Sequence, residues 1–109
     1  MLEGLPDVVR HYFELDPRDI DGFVALFSDE ATVVDEGKAY QGPGEIRAWR
    51  AGTAIKYTYT TEVLDQEGRS GGQYLVTARL TGDFPGETVN LRYDFAVTSD
   101  LISRLVIAP

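Results

Sequence analysis

Among 109 residues, the side chain best placed to do acid or base chemistry is Asp35. It closes a short alternating run, Ala31 to Glu36, in which it shares parity with Val33, while Thr32, Val34 and Glu36 point the other way. Its carboxylate is therefore expected to follow Val33 toward an apolar interior. Desolvation there raises a carboxylate pKa, the tuning a proton shuttle near neutrality needs. The competing reading leaves Asp35 at the strand end, capping the Gly37 turn or paired with a cation.

Little else in the composition competes with it. The chain has no cysteine and one histidine, His11, which excludes disulfides, thiolate catalysis and cysteine zinc sites and argues against a histidine triad or metal site. His11 itself is expected in solvent beside an acidic helix face, although it titrates near neutrality. Asp19-Ile20-Asp21 and Asp29-Glu30 lack the spacing of a calcium loop, so neither metal nor cofactor is expected. Arg79 and Arg92 read as polar pocket residues or as surface ion-pair partners across adjacent strands, with the surface reading favoured. A net charge of −8 opposes binding to nucleic acid or to acidic membranes. No apolar run reaches the ~20 residues that span a bilayer, and MLEGLPDVVRHYF lacks the look of a leader, so the expected setting is cytoplasmic.

The elements that must position Asp35 can be read in order. Leu5, Val8, Val9, Tyr12 and Phe13 recur with helical spacing, with Pro6 and Asp7 in a first turn. Asp16-Pro17-Arg18-Asp19 then starts a second helix, whose buried face is expected to be Ile20, Phe23, Val24 and Phe27, ending near Ser28. After the strand carrying Asp35, Gly37-Lys38 reads as a turn. Gly42-Pro43-Gly44-Glu45 opens a short third helix with Ile46 and Trp49 three apart and Gly52 just past its end.

Strand patterns fill the remainder of the chain. Residues 55 to 66 hold a Thr and Tyr run, Gly68 to Gly72 a loop, and Tyr74 to Thr81 another strand. Phe84-Pro85-Gly86-Glu87 suits a type II turn. Val89, Leu91, Tyr93, Phe95 and Val97 then form the apolar face of a long strand, and Ile102 to Ala108 closes the sheet. Tyr57 and Tyr59 share a face, which lines a cavity or covers a sheet-to-sheet contact with equal plausibility, as does Tyr74.

This order predicts one α+β domain over residues 1–109, a cone-shaped curved antiparallel sheet with three helices packed on its concave face. It resembles the cystatin-like, nuclear transport factor 2-like superfamily. The resemblance is carried by HYFELDPRDIDGFVALFSDEATVVDEG, YQGPGEIRAW, LTGDFPG and LRYDFAVTSDLISRLVIAP, and it points to the SnoaL-like and ketosteroid isomerase-like subgroup. In isomerase-like members a carboxylate at the end of the first short strand shuttles the proton, and the matching stretch Asp29-Glu30-Ala31-Thr32-Val33-Val34-Asp35 implies that role for Asp35.

The resemblance also implies an oxyanion-hole tyrosine, falling on His11 or Tyr12 depending on one gap. At about 100° per residue Tyr12 lies within the stripe of Leu5, Val8, Val9 and Phe13 and His11 lies off it, which favours Tyr12. A second oxyanion group falls near Tyr93 or Asp94, and parity with Leu91 and Phe95 favours Tyr93. Trp49, Phe23, Phe27, Val33, Tyr93 and Phe95 are then the expected pocket residues.

Two functions follow. One is a cofactor-free pocket protein that binds an apolar carbonyl-bearing or cyclic small molecule, with isomerase- or cyclase-like proton transfer by Asp35 and Tyr12. The other is a non-catalytic binding or dimeric interaction module. In either case the sheet face away from the helices is left uncovered, so a homodimer is expected.

Overall fold

The computed structural model describes residues 4–16, 18–56, 59–82 and 88–109. Its first helix, α1 (Asp7–Glu14), starts where Pro6 places its carbonyl to accept from the Val9 and Arg10 N–H groups, and it buries Val9 and Tyr12. The expected stripe is thus the buried one. Next, α2 (Ile20–Val24) is capped by Asp19, whose Oδ1 accepts the Gly22 N–H at 2.9 Å.

This second helix is shorter than its sequence pattern predicts. Phe27 stands four residues after Phe23, as a helical face would have it, yet it begins strand β1 (Phe27–Asp35). The sheet takes the backbone here: the Ile102 N–H donates to the Leu26 carbonyl at 2.8 Å, and Phe27 pairs with Ile102. Its ring still packs beside Phe23, 5.2 Å between centroids, so burial was read correctly and the element was not.

A two-residue turn, Glu36 and Gly37, both with positive φ, leads into β2 (Lys38–Gln41), a short edge strand without apolar alternation to announce it. The third helix, α3 (Gly42–Lys56), has 15 residues and runs through Gly52 instead of ending there. Gly52 is exposed with nothing near it; it costs the helix about 1 kcal/mol relative to alanine but does not stop it.

Strands β3 (Tyr59–Arg69), β4 (Gln73–Gly82), β5 (Thr88–Thr98) and β6 (Leu101–Ala108) complete the sheet, in the order β2-β1-β6-β5-β4-β3. Neighbours run antiparallel except β1 and β6, which are parallel, so the curved, unclosed sheet is mixed. Register breaks in β1, β3 and β5 supply places where strands bend. All three helices send side chains to one face, where Val9, Tyr12, Phe23, Ile46 and Trp49 meet Val33, Val76, Phe95 and Leu105. No described helix is long and apolar enough to cross a membrane. Pro17, Tyr57 and the expected turn at 84–87 lie outside the described residues.

Candidate functional site

The site is assembled by strand register. Asp35 pairs with Ile107, Ile107 with Tyr93, and Tyr93 with Val76, so these four share one row across the inner face. Two strand spacings separate Asp35 from Tyr93, roughly 10 Å between backbones. Asp35 is half-buried, and the chain turns away immediately after it at Glu36-Gly37. From α3, Trp49 Nε1 donates to Asp35 Oδ2 at 3.0 Å. The indole is itself held between Phe23 and Tyr40, at 5.9 and 6.1 Å between centroids.

Beside this row lies a cavity of about 260 Å³ lined by Tyr12, Phe13 and Leu15 from α1 and its end, Arg50 from α3, Thr60 and Thr61 from β3, and Tyr93 from β5. Tyr12 packs edge-on against Phe13, Tyr93 and Phe95, at 5.0, 5.9 and 5.3 Å. Two tyrosines expected near the site therefore stand together on one cavity wall. Phe23, Phe27, Val33 and Phe95 are buried in the core behind it, and Trp49 lies between Phe23 and Asp35.

The remaining candidates separate by face. His11 is exposed on α1, and Asp94 is half-buried on the outer sheet face, paired with Leu75 and Val106. Tyr74 is opposite Phe95 on the inner face. Arg79 is exposed and meets Glu62 across the β3–β4 pair at 3.6 Å, while Arg92 donates to the Pro109 carbonyl at 3.4 Å. Asp21 pairs with Arg47 at 2.7 Å, and among the described residues no group of three His, Asp or Glu side chains gathers to hold a metal. Nothing is described of the Tyr59 side chain.

One cavity-lining residue escaped the sequence reading. Arg50 is 6% exposed, and its guanidinium carbon lies 4.3 Å from the centroid of the Phe23 ring. The signal was present: Ile46, Trp49 and Arg50 fall at i, i+3 and i+4, the spacing of one buried helix face. A cation on that face reads by default as solvated, which hid it.

Three helices on the inner face of a curved, unclosed sheet, with a carboxylate closing the first strand, define a protein of the cone-shaped nuclear transport factor 2-like fold. The chain belongs to the SnoaL-like domain family, whose profile matches residues 8–100. Among solved structures, a candidate polyketide cyclase from Sinorhizobium meliloti is 35% identical, with a TM-score of 0.92 and 99% of each chain covered. A Catenulispora acidiphila protein with a ketosteroid isomerase-like fold, solved with trimethylamine, is 18% identical at a TM-score of 0.83, covering 96% of this chain and 86% of its own. SalBIII, an epoxide hydrolase/cyclase-like enzyme in pyran ring formation in the polyether salinomycin, is 21% identical at 0.78, covering 93% and 86%. The last two share the fold alone. A comparison with curated proteins finds no match.

Proposed function

We propose that this chain is a small cofactor-free pocket protein that binds an apolar carbonyl-bearing or cyclic molecule between its helices and inner sheet face, and moves a proton with Asp35. The observation that carries the reading is the placement of a half-buried carboxylate, tied by Trp49, in the same cross-strand row as a tyrosine on the cavity wall. Asp35 takes a proton from carbon next to a carbonyl, and the Tyr12 hydroxyl donates to the oxyanion that develops. Phe23, Phe27, Trp49 and Phe95 keep water out. The kinship with a candidate polyketide cyclase agrees with this chemistry, since carbon–carbon ring closure in a polyketone begins with such a proton removal.

The test is deuterium exchange. In D₂O the protein is expected to accelerate exchange next to the carbonyl of a cyclic ketone such as 2-tetralone, and Asp35→Asn to slow it by about 10²–10⁴-fold. Exchange at the buffer rate, or equal rates for both proteins, overturns the enzymatic reading.

The rival, a binding or interaction module without catalysis, has its own support. The Trp49 hydrogen bond ties α3 to the end of β1 whether or not Asp35 ever gives up or takes a proton. Both readings pair the protein with a second copy through the outer sheet face.

A further inference from the structure

We infer that the cavity between α1, α3 and β3 holds the carboxylate of a ring-sized monoanionic ligand on Arg50. This rests on reading the site as a small-molecule pocket and names the ligand class. Arg50 as a residue is 6% exposed and its Nε is buried, and a buried cation is costly unless a counter-charge or acceptor replaces its water. Among the described residues the ion pairs engage Arg10, Arg18, Arg47, Arg69 and Arg79, and none engages Arg50. Its Nε is buried without a hydrogen-bond partner.

Phe23 supplies part of the compensation. The ring attracts the guanidinium through its π face, but such a contact does not satisfy the N–H donors. Arg50 also lines the cavity, where the other described lining residues are hydroxyl-bearing (Tyr12, Tyr93, Thr60, Thr61) or apolar (Phe13, Leu15) and carry no second charge. One cation with no acid beside it among the described lining residues complements one negative charge. A planar carboxylate matches the guanidinium fork with two parallel hydrogen bonds, whereas a phosphate dianion calls for more cations than this wall presents.

Volume sets the size. About 260 Å³ lies just below the ~300–1,000 Å³ range of drug-sized pockets, which suits an acid of one or two rings. The chain as a whole carries −8, so Arg50 does not draw anions from afar; its work is recognition at contact.

Benzoate and its neutral isostere benzamide test the inference, followed by NMR of the Arg50 Nε–H signal. Benzoate is expected to shift that signal and to bind at least tenfold more tightly than benzamide. Arg50→Met is expected to abolish the preference with the melting temperature unchanged or raised, because an unpaired buried charge is gone. Arg50→Lys keeps the charge but not the fork and is expected to lose several-fold in benzoate affinity, which serves if the methionine variant does not fold. An unshifted Nε–H signal, equal affinity for acid and amide, or a preference that survives Arg50→Met overturns the inference. The readout is binding alone, so failure to exchange deuterium removes the proton-transfer reading and leaves this one standing, and loss of the benzoate preference does the reverse.

Discussion

Burial and the Trp49 hydrogen bond act on Asp35 in opposite directions, and a substitution separates them. Partial burial disfavours its charge, while the Trp49 N–H favours it. Trp49→Phe retains a ring against Phe23 and removes the donor, so the Asp35 titration midpoint is expected to rise relative to the unsubstituted protein, with a loss of about 1–3 kcal/mol in urea unfolding at pH 7. Proton transfer itself requires a midpoint above the ordinary ~3.9, and NMR titration giving that value or less removes the proposal. For such a raised carboxylate the stability falls as pH rises from the unfolded to the folded pKa, so Asp35→Asn should be neutral or slightly stabilising at pH 7. Asp16 makes the opposite case. The Arg18 side chain, then its backbone N–H, hydrogen-bonds the carboxylate and holds it at about 2 against an ordinary 3.8. A depressed pKa adds stability above the unfolded value that is lost as pH falls through the folded one, here between about 4 and about 2. Arg18→Gln should return the Asp16 midpoint toward 3.8, and salt should shrink the displacement because the pair is exposed. Parity and the family resemblance together directed attention to Asp35, and the resemblance offered His11 or Tyr12, between which helical spacing chose Tyr12. Arg50 went unread because charge usually means solvent, although its spacing with Ile46 and Trp49 put it on the buried helix face where it packs over the Phe23 ring.

The elements that followed one periodicity were read from the chain, and the ones that changed identity were not. β5 alternates from Val89 to Val97 and is buried on that face at Tyr93 and Phe95, as the pattern requires. Phe27 fits a helix by spacing yet pairs with Ile102, a partner 75 positions away that no local signal reveals. β2 is short and mostly exposed, which leaves no hydrophobic rhythm to detect. The β3–β4 connection shows how backbone geometry constrains the sheet. Gly71 and Gly72 both have positive φ, but a Cβ on Gly72 would lie 2.5 Å from the Val97 carbonyl oxygen in β5, whereas one on Gly71 would meet nothing within 4 Å. Gly72→Ala is therefore expected to cost at least ~2 kcal/mol and Gly71→Ala about 1 kcal/mol. Urea unfolding of the two variants checks the ranking, and equal losses would show that β5 yields at its break between Ala96 and Val97.

With every helix on the inner face, the outer face is left to solvent or to a partner. Its central row runs Val34, Val106, Asp94, Leu75 by register, all half-buried, and places three apolar side chains across the sheet. Tyr74 is opposite Phe95 on the inner face, and the outer rows flanking the central one carry Arg104 with Thr32 and Ala96 on one side and Arg92 with Thr77 and Ala108 on the other, so the surface is an aliphatic row between charged ones. Strands of 8 to 11 residues give an outer face of roughly 30 by 20 Å. That is near the ~800 Å² per partner of a standard interface. Each copy brings −8, so long-range repulsion opposes pairing and salt should strengthen it, the reverse of an association driven by ion pairs. A homodimer at tens of micromolar is therefore expected by sedimentation, more complete in 0.5 M than in 0.05 M salt. Leu75→Glu adds an acid opposite Glu67 and Asp94 on the same face, and it should yield a folded monomer with an unchanged circular dichroism spectrum. A protein that sediments as a monomer before any substitution, or a Leu75→Glu variant that still dimerises, assigns the outer face to solvent.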